Sequence, residues 1–359
     1  MVTAAKDFLK IYWPLVLVAF AGLVLTLMLM DPAPPKTIRF AAGPPGGAYY
    51  AYAERYQRLL GEQDVNVTLI QTAGSVENLR LLDEGSVDVA LVQGGLATPG
   101  DAETLRSLGG LFHEPFWVFV RDEAGVKEFG QLRDLRMAIG PDGSGTRLLA
   151  LDLQGEFDGV WPAASRNSLT GTAAAGALIE GKLDAAAFAA SPDAAYVQTL
   201  LRAPGISLLP FERAEALSRR QPALAAVVLL RGVVDIGADL PAHDVSLVAP
   251  VAQLVVRKSL HPAIEALLVD SASAIHQDGS LFARAGAFPD PDSTDLPVSR
   301  QVQRYYANGP SFLRRYFSFD LANFLDRAWI LAIPLLTLLF PLVKVAPPIY
   351  RWRVRRKIY

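Results

Sequence analysis

The sequence predicts an α/β fold: two similar α/β lobes around a ligand cleft, flanked by N- and C-terminal transmembrane helices. Three observations carry this. Apolar runs of strand length alternate with stretches of helical periodicity, two sequence blocks recur in the same order about a hundred residues apart, and a long apolar run lies near each end.

Strand-like runs occur at Ile38–Ala42, Thr68–Gln71, Val87–Gln93, Trp117–Val120, Arg136–Gly140, Leu183–Ala189 and Ile206–Pro210. The first ends in Gly43-Pro44-Pro45-Gly46-Gly47, after which Tyr49, Tyr52, Ala53, Tyr56, Leu59 and Leu60 recur at helical spacing. Such a turn leaves the first N–H groups of the helix free, and these with the helix dipole favour an anion. Further helices are predicted over Val76–Asp83 and Pro262–Ile275. Ile38–Gly47 aligns with Leu135–Ser144 at an offset of 97 residues, and Leu82–Ala90 with Leu178–Ala186 at an offset of 96. Two copies are too few for a solenoid, which needs about three. Two lobes, each offering a strand–turn–helix edge to a shared cleft, are the simplest outcome, and ligand sites favour such clefts.

Ile11–Met30 is a charge-free run long enough to span a bilayer. Lys6 and Lys10 precede it, which orients the N-terminus to the cytoplasm. A cleaved signal peptide is the competing reading; the length of the run and the lack of an A-x-A site favour an uncleaved anchor. Ala328–Val343 is a second apolar run, extended by Val345–Tyr350 past Lys344, and Arg351, Arg353, Arg355, Arg356 and Lys357 follow as a basic cytoplasmic cluster. The expected organisation is an N-terminus and anchor over 1–35, the first part of lobe 1 over 36–118, lobe 2 over 119–211, and the rest of lobe 1 with packing helices over 212–312. A juxtamembrane segment over 313–327, a transmembrane helix over 328–350 and a basic tail over 351–359 complete it.

The 359 residues carry a net charge of −2 and the pI is about 6.1, so there is no basic footprint for nucleic acid. Hydrophobic residues make up 51 % and mean hydropathy is +0.25, an excess concentrated at the two ends. The absence of cysteine excludes disulfides, thiolate metal sites and cysteine nucleophiles. The histidines, at 113, 243, 261 and 276, show no metal-ligand spacing, and no metal or cofactor is expected.

Four segments can carry chemistry. In Gly43–Tyr50, Gly46 and Gly47 let backbone approach a ligand and Tyr49 or Tyr50 can wall it; an ordinary strand–helix turn with tyrosine in the core explains the same pattern. In Thr72–Asn78, Ser75 reads as an N-cap, and Gly74, Ser75 and Asn78 could hold a carboxylate; a plain capped helix is the alternative. Gly140–Arg147 lacks the lysine of a phosphate-binding P-loop and the first glycine of a nucleophile elbow. That leaves an anion cradle with the Ser144 and Thr146 hydroxyls; Arg147 could add charge to it, and a solvated surface residue is the favoured reading. Leu169–Thr172 is a fourth helix start, expected to face Gly74–Asn78 across the cleft. Asp88 and Asp184, which follow each E-G of the repeat, read as structural turn residues rather than an acid–base pair.

The segments A-A-G-P-P-G-G-A-Y-Y (41–50), A-G-S-V-E-N-L-R-L-L (73–82), V-D-V-A-L-V-Q (87–93) and G-P-D-G-S-G-T (140–146) resemble the TAXI family of solute-binding proteins, extracytoplasmic receptors of one class of tripartite (TRAP) transporters. The resemblance runs from Thr37 to about Pro289, and the tail from Gly309 onward is similar to the subgroup that keeps a C-terminal span. It implies a periplasmic-binding-protein fold of type II with two crossing strands as a hinge. It also implies a small organic anion such as a carboxylate or amino acid as ligand, and TRAP membrane subunits and the lipid bilayer as partners. The implied location is the bacterial inner membrane, with the main domain in the periplasm or outside the cell. Carried over by motif, the ligand-facing residues are Gly46, Gly47, Tyr49, Tyr50, Gly74, Ser75, Asn78, Gln93, Ser144, Gly145 and Thr146. Ala48 departs from the family, which commonly has Thr there. A membrane-anchored ligand sensor is the alternative function; an enzyme is not expected, since no nucleophile–base set, metal spacing or cofactor fingerprint is present.

Overall fold

The computed structural model describes residues 33–310, apart from 158–161 and 163–164, and scattered positions within 17–24 and 312–325. Residues 35–309 form one compact unit; residues 1–34 with 310–359 form another, of which a short helix, Phe312–Tyr316, is described. The expected spans at 11–30 and 328–350 and the basic tail lie outside the described residues. Among those described, no helix is long and apolar enough to cross a membrane.

In the larger unit, the first apolar run forms β1 (Thr37–Gly43). The glycine turn leads into α1 (Ala48–Gly61), whose spacing puts Tyr49, Ala53, Tyr56 and Leu60 on the buried face. β2 (Asn66–Gln71), α2 (Ser75–Asp83), β3 (Val89–Gln93) and β4 (Leu105–His113) follow. The chain then crosses through Glu114-Pro115 into β5 (Phe116–Arg121), β6 (Met137–Ala138), α3 (Gly145–Glu156), β7 (Arg166–Asn167), α4 (Gly171–Ile179), β8 (Ala185–Ala189), α5 (Ala195–Leu201) and β9 (Ile206–Leu208). α6 (Ala214–Arg220), β10 (Leu224–Leu229), β11 (Val245–Arg257), α7 (Pro262–His276) and α8 (Arg300–Asn308) close it.

The two sheets share one design. The first has the order β2-β1-β3-β11, with β4 and β10 both paired to β11; the second has the order β7-β6-β8-β5-β9. In each, three parallel strands are followed by a fourth that runs antiparallel to its neighbours on both sides. That fourth strand, β11 or β5, is the one arriving from the other lobe.

The sequence echo has a physical cause. Asp88 accepts hydrogen bonds from the Arg39 backbone N–H (2.9 Å), Nε (3.2 Å) and Nη2 (3.1 Å), while Nη2 also reaches the Gly85 carbonyl at 2.9 Å. Asp184 holds Arg136 in the same way through N (3.0 Å), Nε (2.9 Å) and Nη2 (2.6 Å), with Nη2 3.2 Å from the Gly181 carbonyl. Each aspartate thus ties the central strand of its lobe to the turn that feeds the next strand, which is the structural role expected of both.

The lobe limits fall elsewhere than expected. β5 already belongs to the second sheet, so the outward crossing lies at 114–115 and not at 118–119. The return lies at Pro250 and not at 211–212, because Leu224, Val227, Leu229, Leu247 and Val248 are packed in the second lobe's core with Trp117, Phe119 and Phe188. Only beyond Pro250 does β11 pair with β3 and β4. Asp88→Ala removes one clamp and is expected to cost about 1 kcal/mol, kept low by the half-exposed Arg39. Urea unfolding of the variant measures it.

Candidate ligand-binding cleft

The two crossings lie side by side. The Glu114 N–H donates to the Pro250 carbonyl (2.9 Å), and the Gly94 N–H donates to the Val251 carbonyl (2.9 Å). Beside this hinge sits a cavity of about 80 Å³. Lobe 1 lines it with the start of α1 (Gly47, Ala48, Tyr49), the start of α2 (Gly74, Ser75) and Gln93 at the end of β3. Lobe 2 lines it with the start of α3 (Ser144, Gly145, Thr146) and with Tyr196 of α5; Glu114 enters from the hinge. Three helices from two lobes therefore aim their free first-turn N–H groups at one volume. Among the described residues, no Lys, Arg or His lines it.

The lobes touch here. A Cβ on Gly74 would lie 3.5 Å from the Ser144 Cα, and one on Gly145 would run into Oε1 of Gln93, across the cleft. Gly74 also has φ 135°, a conformation glycine tolerates best.

Of the residues expected to face a ligand, Gly47, Tyr49, Gly74, Ser75, Gln93, Ser144, Gly145 and Thr146 come together in this cavity; Gly46, Tyr50 and Asn78 do not line it. Gly46 shapes the preceding turn at φ 77°. Tyr50 follows Tyr49 by about 100° of helical rotation and so leaves the buried face. Asn78 is fully buried and knits β-strands together: its Nδ2 donates to the Leu91 carbonyl (2.8 Å), and its Oδ1 accepts from the Thr72 hydroxyl (2.5 Å).

Several hydroxyls have internal duties. Ser75 is not an N-cap: Gly74 holds that place, and Ser75 Oγ accepts from the Gln93 N–H (3.0 Å). Ser144 does cap α3, accepting from the Arg147 N–H (3.2 Å) and donating to the Pro141 carbonyl (2.8 Å), so its hydroxyl is occupied. Thr146 Oγ1 accepts from the Ala189 N–H (3.1 Å) and keeps its proton to give. Arg147 is not a solvated residue; it braces its own loop through the Gly140 carbonyl (2.9 Å) and Asp142 (2.8 Å). The turn at Leu169–Thr172 does not face Gly74. Tyr196 packs against Gly171, and it is Tyr196 that lines the cavity.

Glu114 went unrecognised in the sequence, although a charge before Pro115 inside the run L-G-G-L-F-H-E-P-F-W-V-F-V is a legible sign of burial. It is 3 % exposed. Its Oε2 accepts from the Tyr49 hydroxyl at 2.6 Å, its one side-chain hydrogen-bond partner among the described residues. Burial pushes this carboxyl up to about 8, against a smaller opposing effect of the Tyr49 bond. The Tyr49 phenol is itself raised, by burial first and the neighbouring Glu114 second.

A second, larger cavity of about 160 Å³ is lined by Tyr52, Phe112, Asp193 and His276, among others. Its rings stack on one another, with Phe112 and His276 5.4 Å apart, and burial pulls the His276 imidazole down to about 3. It lacks the converging helix starts of the first.

Two lobes, each built on a mixed sheet, thus meet at this cavity. Residues 40–264 match the model of the NMT1-like family, more than half of the chain, and the protein belongs to that family. Among solved structures it resembles a Bordetella bronchiseptica RB50 protein (TM-score 0.47, 16 % identity, 67 % of this chain and 70 % of that one). It also resembles an ancestral arginine-binding protein bound to arginine (0.44, 12 %, 69 % and 96 %) and the alkanesulfonate-binding protein SsuA of Xanthomonas axonopodis pv. citri bound to MOPS (0.44, 15 %, 68 % and 75 %).

Because the folded protein holds the Glu114 proton up to about pH 8 and the unfolded chain loses it near 4.5, the folded state binds more protons in that window. Stability therefore falls with rising pH by up to about 1.4 kcal/mol per unit from this group. His276 acts oppositely between about 3 and 6.5, so the Glu114 effect is cleanest from pH 6.5 to 8. Glu114→Gln is expected to flatten that slope and to exceed the wild type in stability above pH 8, as read by denaturant unfolding across pH.

Proposed function

We propose that the protein is the extracytoplasmic solute-binding receptor of a TRAP transporter of the TAXI type. It captures a small organic anion such as a carboxylate or amino acid and delivers it to membrane transport subunits, while anchored at the bacterial inner membrane. Its role is binding and not catalysis. The observation that carries this reading is the convergence of the α1, α2 and α3 starts, from both lobes, on one hinge-side cavity. A carboxylate there meets backbone N–H groups that are already oriented. Because the donors come from both lobes, a bound anion stabilises the closed arrangement more than the open one, and closure follows from that difference. The small volume suits a metabolite rather than a drug-sized molecule, for which about 300 Å³ or more is usual.

Isothermal titration with succinate, glutarate, L-glutamate, L-alanine and propanoate tests the reading. At least one is expected to bind with a Kd of about 10 μM or tighter; binding of none overturns it. Gly145→Ala sets a methyl group against Gln93 and is expected to weaken that affinity by about tenfold or more while leaving unfolding stability within about 1 kcal/mol. Unchanged affinity would show that the lobes need not meet at this point.

A further inference from the structure

We propose that Glu114 is the specificity-determining residue of the cleft: its carboxylate receives the ammonium group of a ligand whose own carboxylate lies at the helix starts, and each such binding event releases a proton to solvent. This rests on the receptor reading and narrows it to ligands that carry both charges.

The argument begins with direction. The Gln93 N–H donates to Ser75 Oγ (3.0 Å), the Ser75 hydroxyl donates to Tyr49 Oη (3.4 Å), and the Tyr49 hydroxyl donates to Glu114 Oε2 (2.6 Å). Every proton in this chain points toward Glu114, so Oε2 is an acceptor in either charge state. A proton on Glu114 must then sit on Oε1, which has no hydrogen-bond partner among the described residues, in a side chain that lines the cavity. Among the described residues, no side chain facing the carboxyl carries a positive charge. α1 brings Tyr49, α2 brings Ser75, β3 brings Gln93 and α5 brings Tyr196, whose phenol is raised by burial and, less, by Glu114 itself. Arg147, the basic residue of the α3 start, is turned to Gly140 and Asp142.

A carboxylate buried 97 % from solvent with no cation is costly, so the empty cleft keeps Glu114 neutral at pH 7, consistent with the upward push on its ionisation. A ligand ammonium supplies the missing charge. The exchange balances: the Oε1–H bond breaks, the proton leaves to solvent, and Oε1 accepts an N–H bond from the incoming ammonium, with no net change in electrons. A ligand with a second carboxylate at that position meets the neutral form alone, and its affinity falls as pH rises.

Paired probes decide it: L-alanine against propanoate and L-lactate, and L-glutamate against glutarate, by titration calorimetry at pH 7 in two buffers of different ionisation enthalpy. The ammonium-bearing probe of a bound pair is expected to bind about 100-fold tighter or more, with close to one proton released. Glu114→Gln is expected to bring the ratio below about tenfold and the proton count to zero. Tyr49→Phe keeps the carboxyl and is expected to keep the preference. Equal or tighter binding of the probes without nitrogen, lactate included, overturns the assignment and leaves the receptor reading standing, as does a preference that survives Glu114→Gln. Binding of no probe overturns the receptor reading and the assignment with it. If Glu114→Gln does not fold, the wild-type proton count decides: none released with a bound ammonium-bearing probe refutes the proposal.

Discussion

The hydrogen bond between the Glu114 N–H and the Pro250 carbonyl joins the two places where the chain changes lobes. Each sheet takes its fourth strand from the opposite lobe, so neither sheet is complete without a crossing, and both crossings are fixed to each other at this bond. Pro115 and Pro250 flank it, each lacking an N–H for the ladder, which suits positions where pairing must switch from one sheet to the other. The hinge and the ligand cavity therefore share a residue. Any ligand group that contacts Glu114 acts on the segment about which the lobes would turn.

The cavity combines two electrostatic tendencies that in isolation conflict. The starts of α1, α2 and α3 present partial positive charge, while Glu114 can present a full negative one. A protonated Glu114 would reconcile them, because burial with no side-chain cation beside it among the described residues favours the neutral acid. The hydrogen-bonded line from Gln93 through Ser75 and Tyr49 keeps that acid in one orientation. The residues in this line were expected to hold an anion directly, yet two of their hydroxyls are turned to one another and to the carboxyl.

Much of the architecture was legible in local sequence. The strand at Ile38, the glycine turn and the tyrosine-bearing helix follow from apolar runs and helical spacing, and the repeat was visible because Arg39–Asp88 and Arg136–Asp184 each need the same residues at nearly the same separation. What escaped depends on tertiary packing. The inward turn of Asn78 and the covering of Gly171 by Tyr196 are set by partners distant in sequence. The return crossing was misplaced because nothing local in Leu224–Leu229 assigns β10 to a lobe; its packing against the Trp117 core does. Glu114 was missed for the same reason: a carboxyl's burial and its single phenolic partner are properties of the folded hinge.

Ala48 completes the physical picture. It opens α1 and lines the cavity, where a threonine would add a hydroxyl beside the helix N–H groups. With alanine there, with Ser144 occupied by its cap and with Ser75 bonded to Gln93 and Tyr49, the side-chain donors left to the cleft among the described residues are Thr146, the Gln93 amide, the Tyr196 hydroxyl and the Glu114 acid. Orientation in such a site comes mainly from backbone N–H groups, which distinguish charge but not the rest of a ligand. Among the described residues Glu114 is the one carboxyl lining the cavity, and its placement at the hinge ties whatever contacts it to the segment where the chain changes lobes.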